Sequence, residues 1–265
     1  MNKILLLLLT PLFLLSKVHY AKVEPYDSVI LKSAVSGQVM DVLLSAEGTI
    51  LTSKRVIHID DKLDILHIKE TKSSMNLVQE MLDINKEIAQ SLKGTVKRQE
   101  EYYKRISKLS TASKTQKDKA YSSFSSAKTQ YLTTREKMIS FQKQILDMQY
   151  KVAQLEESIA QKSIVMEGKY LYKLMVRKGG FVAPGTALAR MDDTSRAKLV
   201  LYLDSSELKD IQQKAIYLDD VKTKYKTEKI WKIADEKFIS SYRVEIVIST
   251  PSKLFSKLIK VEIKE

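Results

Sequence analysis

Residues 104–120 read KRISKLSTASKTQKDKA, and they interrupt a long apolar rhythm that resumes in step on their far side. The stretch holds neither glycine nor proline, so no residue in it breaks a helix by backbone chemistry alone. The flanks decide the reading. Downstream, Phe124, Ala127, Tyr131, Met138, Phe141, Ile145, Met148, Val152, Leu155 and Ile159 follow alternating steps of three and four, with Thr134 filling the one gap. Upstream, Ile68, Met75, Leu82, Ala89, Val96 and Tyr103 recur every seven residues. Val78, Leu92 and Ile106 share the second upstream row with polar Thr71, Asn85 and Gln99. Such spacing keeps one stripe of each helix turned toward a partner helix, and the polar positions can fix register.

The two arms are nearly equal, about 48 residues before Leu109 and about 50 after Ser113, on the order of 70 Å each. Equal arms around a short junction predict an antiparallel α-hairpin over 61–163. Its turn is 110–112, and Ser113 is the N-cap of the returning helix. A single continuous helix in a parallel dimer is the competing arrangement. The tip is basic: between Lys97 and Lys119 there are eight basic residues and three acidic ones.

Seven glycines and four prolines in 265 residues predict few turns and long elements. The chain has no cysteine, three histidines and one tryptophan. No Ser-His-Asp arrangement, phosphate loop or carboxylate pair stands out, so the expectation is a protein that is not an enzyme and takes no cofactor. His58 and His67 lie nine residues apart across a strand-to-helix junction, which is no metal-ligand spacing, and no metal is expected. The net charge of +13 is spread among glutamates along helix faces, which reads as a solvated surface and not as a nucleic-acid site.

The chain opens MNKILLLLLTPLFLLSKVHYAK, with Lys3 before an apolar run from Ile4 to Leu15. That run is shorter than the roughly 20 residues that span a bilayer and fits the core of a signal peptide. The expectation is a signal peptide over 1–21 and a mature chain beginning near Lys22, with an uncleaved anchor as the other outcome. Without cysteine no lipid can be attached at that end. Export points to the cell envelope.

Two β-like stretches flank the hairpin, SAVSGQVMDVLLSAEGTILTSKRVIHID over 33–60 and MEGKYLYKLMVRKGGFVAPGTALARMDD within 164–193. The Gly37–Gly48 spacing repeats as Gly168–Gly179, and each half closes on aspartate, Asp60 and Asp192. They read as halves of one β-sandwich interrupted by the hairpin. In 194–265, alternation at 198–204, 243–248 and 259–263 predicts strands. Asp204 to Glu207 reads as a capping box opening a short helix. Residues 22–32 would add an N-terminal strand to that last unit. The predicted class is α+β and elongated.

Each half resembles a lipoyl or biotinyl half-motif, the second through Gly179, Val182, Gly185 and Leu188. The first departs from the pattern, with Ser53 or Lys54 where a second turn glycine is usual. Such halves separated by a helical hairpin are similar to periplasmic adaptor proteins, the HlyD-like membrane fusion proteins of tripartite efflux pumps and type I secretion. The resemblance implies a split lipoyl-like sandwich with turn glycines Gly37, Gly48, Gly168, Gly179 and Gly185. It also implies a following small β-barrel over 194–265, with almost no residues left for a membrane-proximal domain. It implies a periplasmic location at the inner membrane of a Gram-negative envelope. The implied partners are an inner-membrane transporter of RND or ABC type, a TolC-like outer-membrane channel and further copies of the chain, commonly six. At the tip, Arg105, Leu109 and Ser113 resemble the family's channel-docking residues, although Leu109 and Ser113 stand about one helical turn closer than usual. Asp61-Lys62 resembles the modified-lysine dipeptide of lipoyl carriers, but here it opens a long helix instead of sitting at an exposed hairpin turn. A structural coiled-coil protein of the envelope, without a transport partner, is the alternative.

Overall fold

The seam residues form two helices, α1 (Lys62–Lys108) and α2 (Lys114–Lys162). They run antiparallel, since Lys72 pairs with Glu156 and Asp64 with Lys162 at one end, while Tyr103 meets Tyr121 and Phe124 at the other. Val78, Leu82 and Ala89 of α1 are buried, as are Ala120, Ala127, Thr134, Val152 and Leu155 of α2. Each lies on the three-four seam or its continuation, so the sequence period has become the packed interface. The computed structural model describes residues 17–251 and 255–264, and the run Ile4–Leu15 lies outside them.

The helices rise from a small two-layer unit. One layer joins β2 (Gly37–Val42), β3 (Lys54–Ile59), β4 (Ser163–Met166) and β6 (Phe181–Val182) in the order β4-β3-β2-β6. The other combines β5 (Tyr170–Leu174) with parts of two long strands, β1 (Val18–Lys32) and β7 (Ala187–Asp204). Val39, Ile57, Ile59, Leu171, Leu174 and Leu188 fill the space between them. The segments before and after the hairpin hold each other through equivalent bonds. Gly48 N–H donates to Leu171 O and Gly179 N–H to Val39 O, both at 2.8 Å. At the root, β3 and β4 pair antiparallel, with His58 opposite Ser163.

β1 and β7 continue into a second sheet of order β10-β11-β7-β1-β12-β8-β9. Its further strands are β8 (Ala215–Leu218), β9 (Val221–Lys222), β10 (Thr227–Ala234), β11 (Ser241–Ser249) and β12 (Leu258–Lys264). The sheet closes over Val23, Leu199, Leu201, Leu203, Val244 and Ile246. The β1–β7 pairing slips between Pro25 and Asp27, where the ribbon passes from one unit to the other.

Three expectations need correction. First, β1 begins at Val18, so the boundary expected at residue 21 falls inside a strand. Ala21 is 1% exposed in the core, and Val18 to Lys22 pair with β12. Second, no helix follows Asp204. Its backbone N–H does meet Glu207 Oε2 at 3.0 Å, but Lys17 takes its carboxylate at 2.6 Å, and a chain of i-to-i+3 turns follows. Asp210, at φ 52, then turns the backbone out of the helical region. Third, Gly37 is not a turn glycine. It begins β2, where a Cβ would lie 2.5 Å from the Ile59 side chain, so close packing demands it. Gly48, Gly168, Gly179 and Gly185 all have positive φ. Ser53 does too, at 48°, where the related motif uses glycine.

Candidate docking site at the hairpin tip

Helix α1 ends as Leu109 takes up an extended conformation, φ −74 and ψ 121. Helix α2 opens with a full capping box. Gln116 N–H donates to Ser113 Oγ at 3.2 Å, and Ser113 N–H donates to Gln116 Oε1 at 2.9 Å. Two of the donors orphaned at a helix start are thereby satisfied, and the turn is held without glycine. About two to three turns below, Tyr103 stacks on Phe124 at 6.2 Å and tilts against Tyr121 at 5.4 Å. These rings fasten the two arms at their far end. The seam pattern located Tyr103 and Phe124. Tyr121 stands beside the seam, and only its aromatic character marked it.

The three tip residues named from sequence are thus brought within one turn of the apex, but they differ in standing. Arg105 is exposed, and no described residue pairs with it. Leu109 is 49% exposed, although it is a large apolar side chain at a helix end. Ser113 has its hydroxyl engaged in the cap and serves the turn itself. Nearby, Lys104 donates to Glu100 at 2.6 Å and holds that carboxyl below its usual range. Glu100 is therefore engaged by Lys104 and not by Arg105, which remains exposed.

The hairpin also carries apolar rows away from its seam. On α1, Leu77, Met81, Ile84 and Ile88 are exposed at steps of three and four. On α2, Leu132, Ile139 and Leu146 are exposed at intervals of seven. At about 100° per residue measured from the shared seam, the two rows emerge on opposite faces of the hairpin. The cross-arm pairs place them at similar heights, because Lys72 faces Glu156 near the root and Tyr103 faces Phe124 near the tip. Sequence reading missed these rows because attention to one seam treats every other helix position as solvated.

At the junction of the two β units lies a cleft of about 920 Å³, lined by Tyr170, Tyr172, Arg190 and Asp192 among others. Within it Ser28 Oγ donates to Asp192 at 2.7 Å, and Arg190 reaches both while lying over the Tyr172 ring. His58 lies 3.2 Å from Asp61 and His19 lies 2.8 Å from Glu207, while His67 is exposed on α1. Among the described residues no cluster of three or more His, Cys, Asp or Glu side chains could hold a metal ion. Among them, too, no helix is long and apolar enough to cross a membrane.

No protein-family model matches this sequence, and no curated protein matches it either. Solved structures do match in fold. MacA from Actinobacillus actinomycetemcomitans superposes with a TM-score of 0.74 at 15% identity, over 94% of this chain and 78% of that one. A MacA–MexA chimera carrying the Pseudomonas aeruginosa MexA α-hairpin domain gives 0.60 at 13% identity, over 94% and 81%. The membrane fusion protein Spr0693 from Streptococcus pneumoniae R6 gives 0.59 at 9% identity, over 94% and 99%. The chain therefore has the fold of membrane fusion proteins, and the resemblance read from its glycines and hairpin extends over nearly its whole length.

Proposed function

We propose that this chain, with its membrane-fusion-protein fold, is the periplasmic adaptor of a tripartite efflux or secretion system. It links an inner-membrane transporter of RND or ABC type to a TolC-like outer-membrane channel. The observation that carries this reading is the tip: a capped, aromatic-fastened apex about 70 Å from its root that presents Arg105 and Leu109 to solvent. An exposed leucine beside an unpaired guanidinium is a contact waiting for a partner, while the rest of the seam is satisfied within the hairpin. The basic apex fits a rim of carboxylates or backbone carbonyls. In this reading the two-layer unit is the lipoyl-like sandwich and the curled sheet is the adaptor's β-barrel. The protein then works by binding and bridging, without chemistry of its own.

The outward rows support assembly as a ring. Rows on opposite faces at overlapping heights let α1 of one copy meet α2 of the next with little axial offset. Such a head-to-tail contact closes into a ring when its rotation permits, here of about six copies as the resemblance implies. The test is a photo-crosslinker at Leu109 and single-cysteine pairs such as Ile88→Cys with Ile139→Cys, in membranes of the source cells. An adaptor yields a channel adduct from Leu109 and disulfide-linked oligomers from the pair. A free-standing envelope coiled coil yields neither.

A further inference from the structure

The turn between β10 and β11 is built to present apolar side chains outward. Asp235 accepts from the backbone N–H of Lys237 and Phe238 at 2.9 and 3.2 Å, and Asp235 N–H donates to Ser241 O at 2.9 Å. This ordered frame leaves Ile239 87% and Ile233 83% exposed. Phe238 projects beside them, half exposed, with its ring 4.2 Å from that of Tyr202. Below the turn, Trp231 lies between Lys229 and Arg243, whose cations sit 4.4 and 4.9 Å from its ring. Aliphatic tips above a belt of aromatic rings and long cationic side chains match the polarity gradient of a bilayer interface.

A second, independent relation says which surface this end faces. Ser241, which closes the turn, pairs with Asp204 of β7, and Lys17 donates to the same Asp204 at 2.6 Å. Lys17 and the turn therefore share one end of the sheet. The apolar run Ile4–Leu15 ends two residues before Lys17. A membrane that held that run would therefore stand on the side of the sheet that carries the β10–β11 turn.

We infer that this end of the sheet, through Phe238, Ile239 and Ile233, seats in the interfacial layer of a lipid bilayer. The inference rests on the adaptor reading for the presence of a membrane. Its geometry comes from the shared contact at Asp204.

The natural absence of cysteine makes the test direct. An environment-sensitive fluorophore is attached at Ile239→Cys in the full chain, reconstituted into vesicles of phosphatidylethanolamine and phosphatidylglycerol that contain an acyl-chain spin-labelled quencher lipid. The same label at Phe181→Cys, an exposed site in the sandwich, is the control. The expected result is a blue shift and loss of intensity at 239 and neither at 181. A chain that binds the vesicles while position 239 reports water overturns the role of the turn and leaves the adaptor reading intact. A signal that shifts only when a transporter is added shows that protein, not lipid, covers the turn, and also overturns the inference. A chain that does not bind the vesicles overturns the inference and removes the membrane side of the adaptor reading.

Discussion

Lys162 Nζ lies 2.6 Å from Asp64 Oδ2 across the root of the hairpin, joining residues 98 positions apart. Both side chains are mostly buried, and Ser158 Oγ donates to the same carboxylate oxygen at 3.3 Å. Asp64 sits in the first turn of α1 and Lys162 in the last turn of α2, so each charge also complements the dipole of its own helix. Asp64→Ala should cost about 2 kcal/mol, between the values for exposed and buried pairs. Lys143→Ala, in an exposed pair with Asp147, should cost no more than about 0.5 kcal/mol. Urea unfolding of both variants checks the contrast, and equal losses would mean the root pair contributes nothing special.

At the tip, Arg105→Asp and Leu109→Asp should abolish transport while the melting temperature stays near that of the wild type. An exposed charge contributes at most about 1 kcal/mol to stability. Ser113→Ala removes the cap and should cost about 1 kcal/mol by itself, so its effect on transport mixes folding with docking. Transport assayed in cells beside melting of the purified variants separates the two. Normal transport by Arg105→Asp would end the docking role of this apex.

Ser53 occupies the left-handed region at φ 48, which costs an L side chain about 1–2 kcal/mol. Ser53→Gly relieves that strain and restores the glycine of the related motif, while adding chain entropy to the unfolded state. The expected net is a stabilisation of about 0.5–1 kcal/mol, read as a higher urea midpoint at unchanged slope. Gly179→Ala, where φ is +86, should go the other way.

Asp193 accepts from Lys169 Nζ at 2.6 Å and from the hydroxyl and N–H of Ser195, which together lower its carboxyl from 3.8 to about 2. A carboxyl that binds protons less readily when folded stabilises the fold fully above pH 3.8 and loses that contribution as pH falls through about 2. Asp193→Asn should therefore be less stable than wild type at neutral pH, with the gap closing below pH 3.8. Stability measured against pH for the pair gives the test, and a gap independent of pH would assign the effect to packing.

Val18 to Lys22 form part of β1, with Ala21 in the core. A chain cut after Ala21 would lose an interior strand segment, so the native protein should begin at or before Lys17. Mass spectrometry of protein purified from its source decides this. A start at Lys22 in a folded protein would show that the sheet tolerates the loss.

The hairpin was legible because helix packing depends on one period, and a seam such as Leu82–Ala89 or Val152–Leu155 records it in side chains alone. The Ser113 cap was legible because its bonds are local. β1 was harder to read: Val18, His19 and Tyr20 acquire their strand from β12, some 240 residues later, and nothing nearby announces the pairing. The missing helix at Asp204 has the same origin, since Lys17 captures the cap from a distant position. Ser53 shows the limit of residue-type reading, because a left-handed turn closed without glycine looks like any polar loop. The site residues divide likewise. Arg105 and Leu109 were named by resemblance, whereas the outward rows required knowing which face the seam had already consumed.

His58 opposite Ser163 means that the chain departs from the sandwich and returns to it at neighbouring positions on paired strands. Nothing in the sandwich then depends on how far the chain travels in between. Adding or removing seven residues in each arm would keep the seam in phase and the root intact while moving the tip by about 10.5 Å. Reach is thus inherited separately from shape. A lineage could lengthen or shorten the rod by editing heptads, without touching the sandwich at its root or the capped turn at its tip.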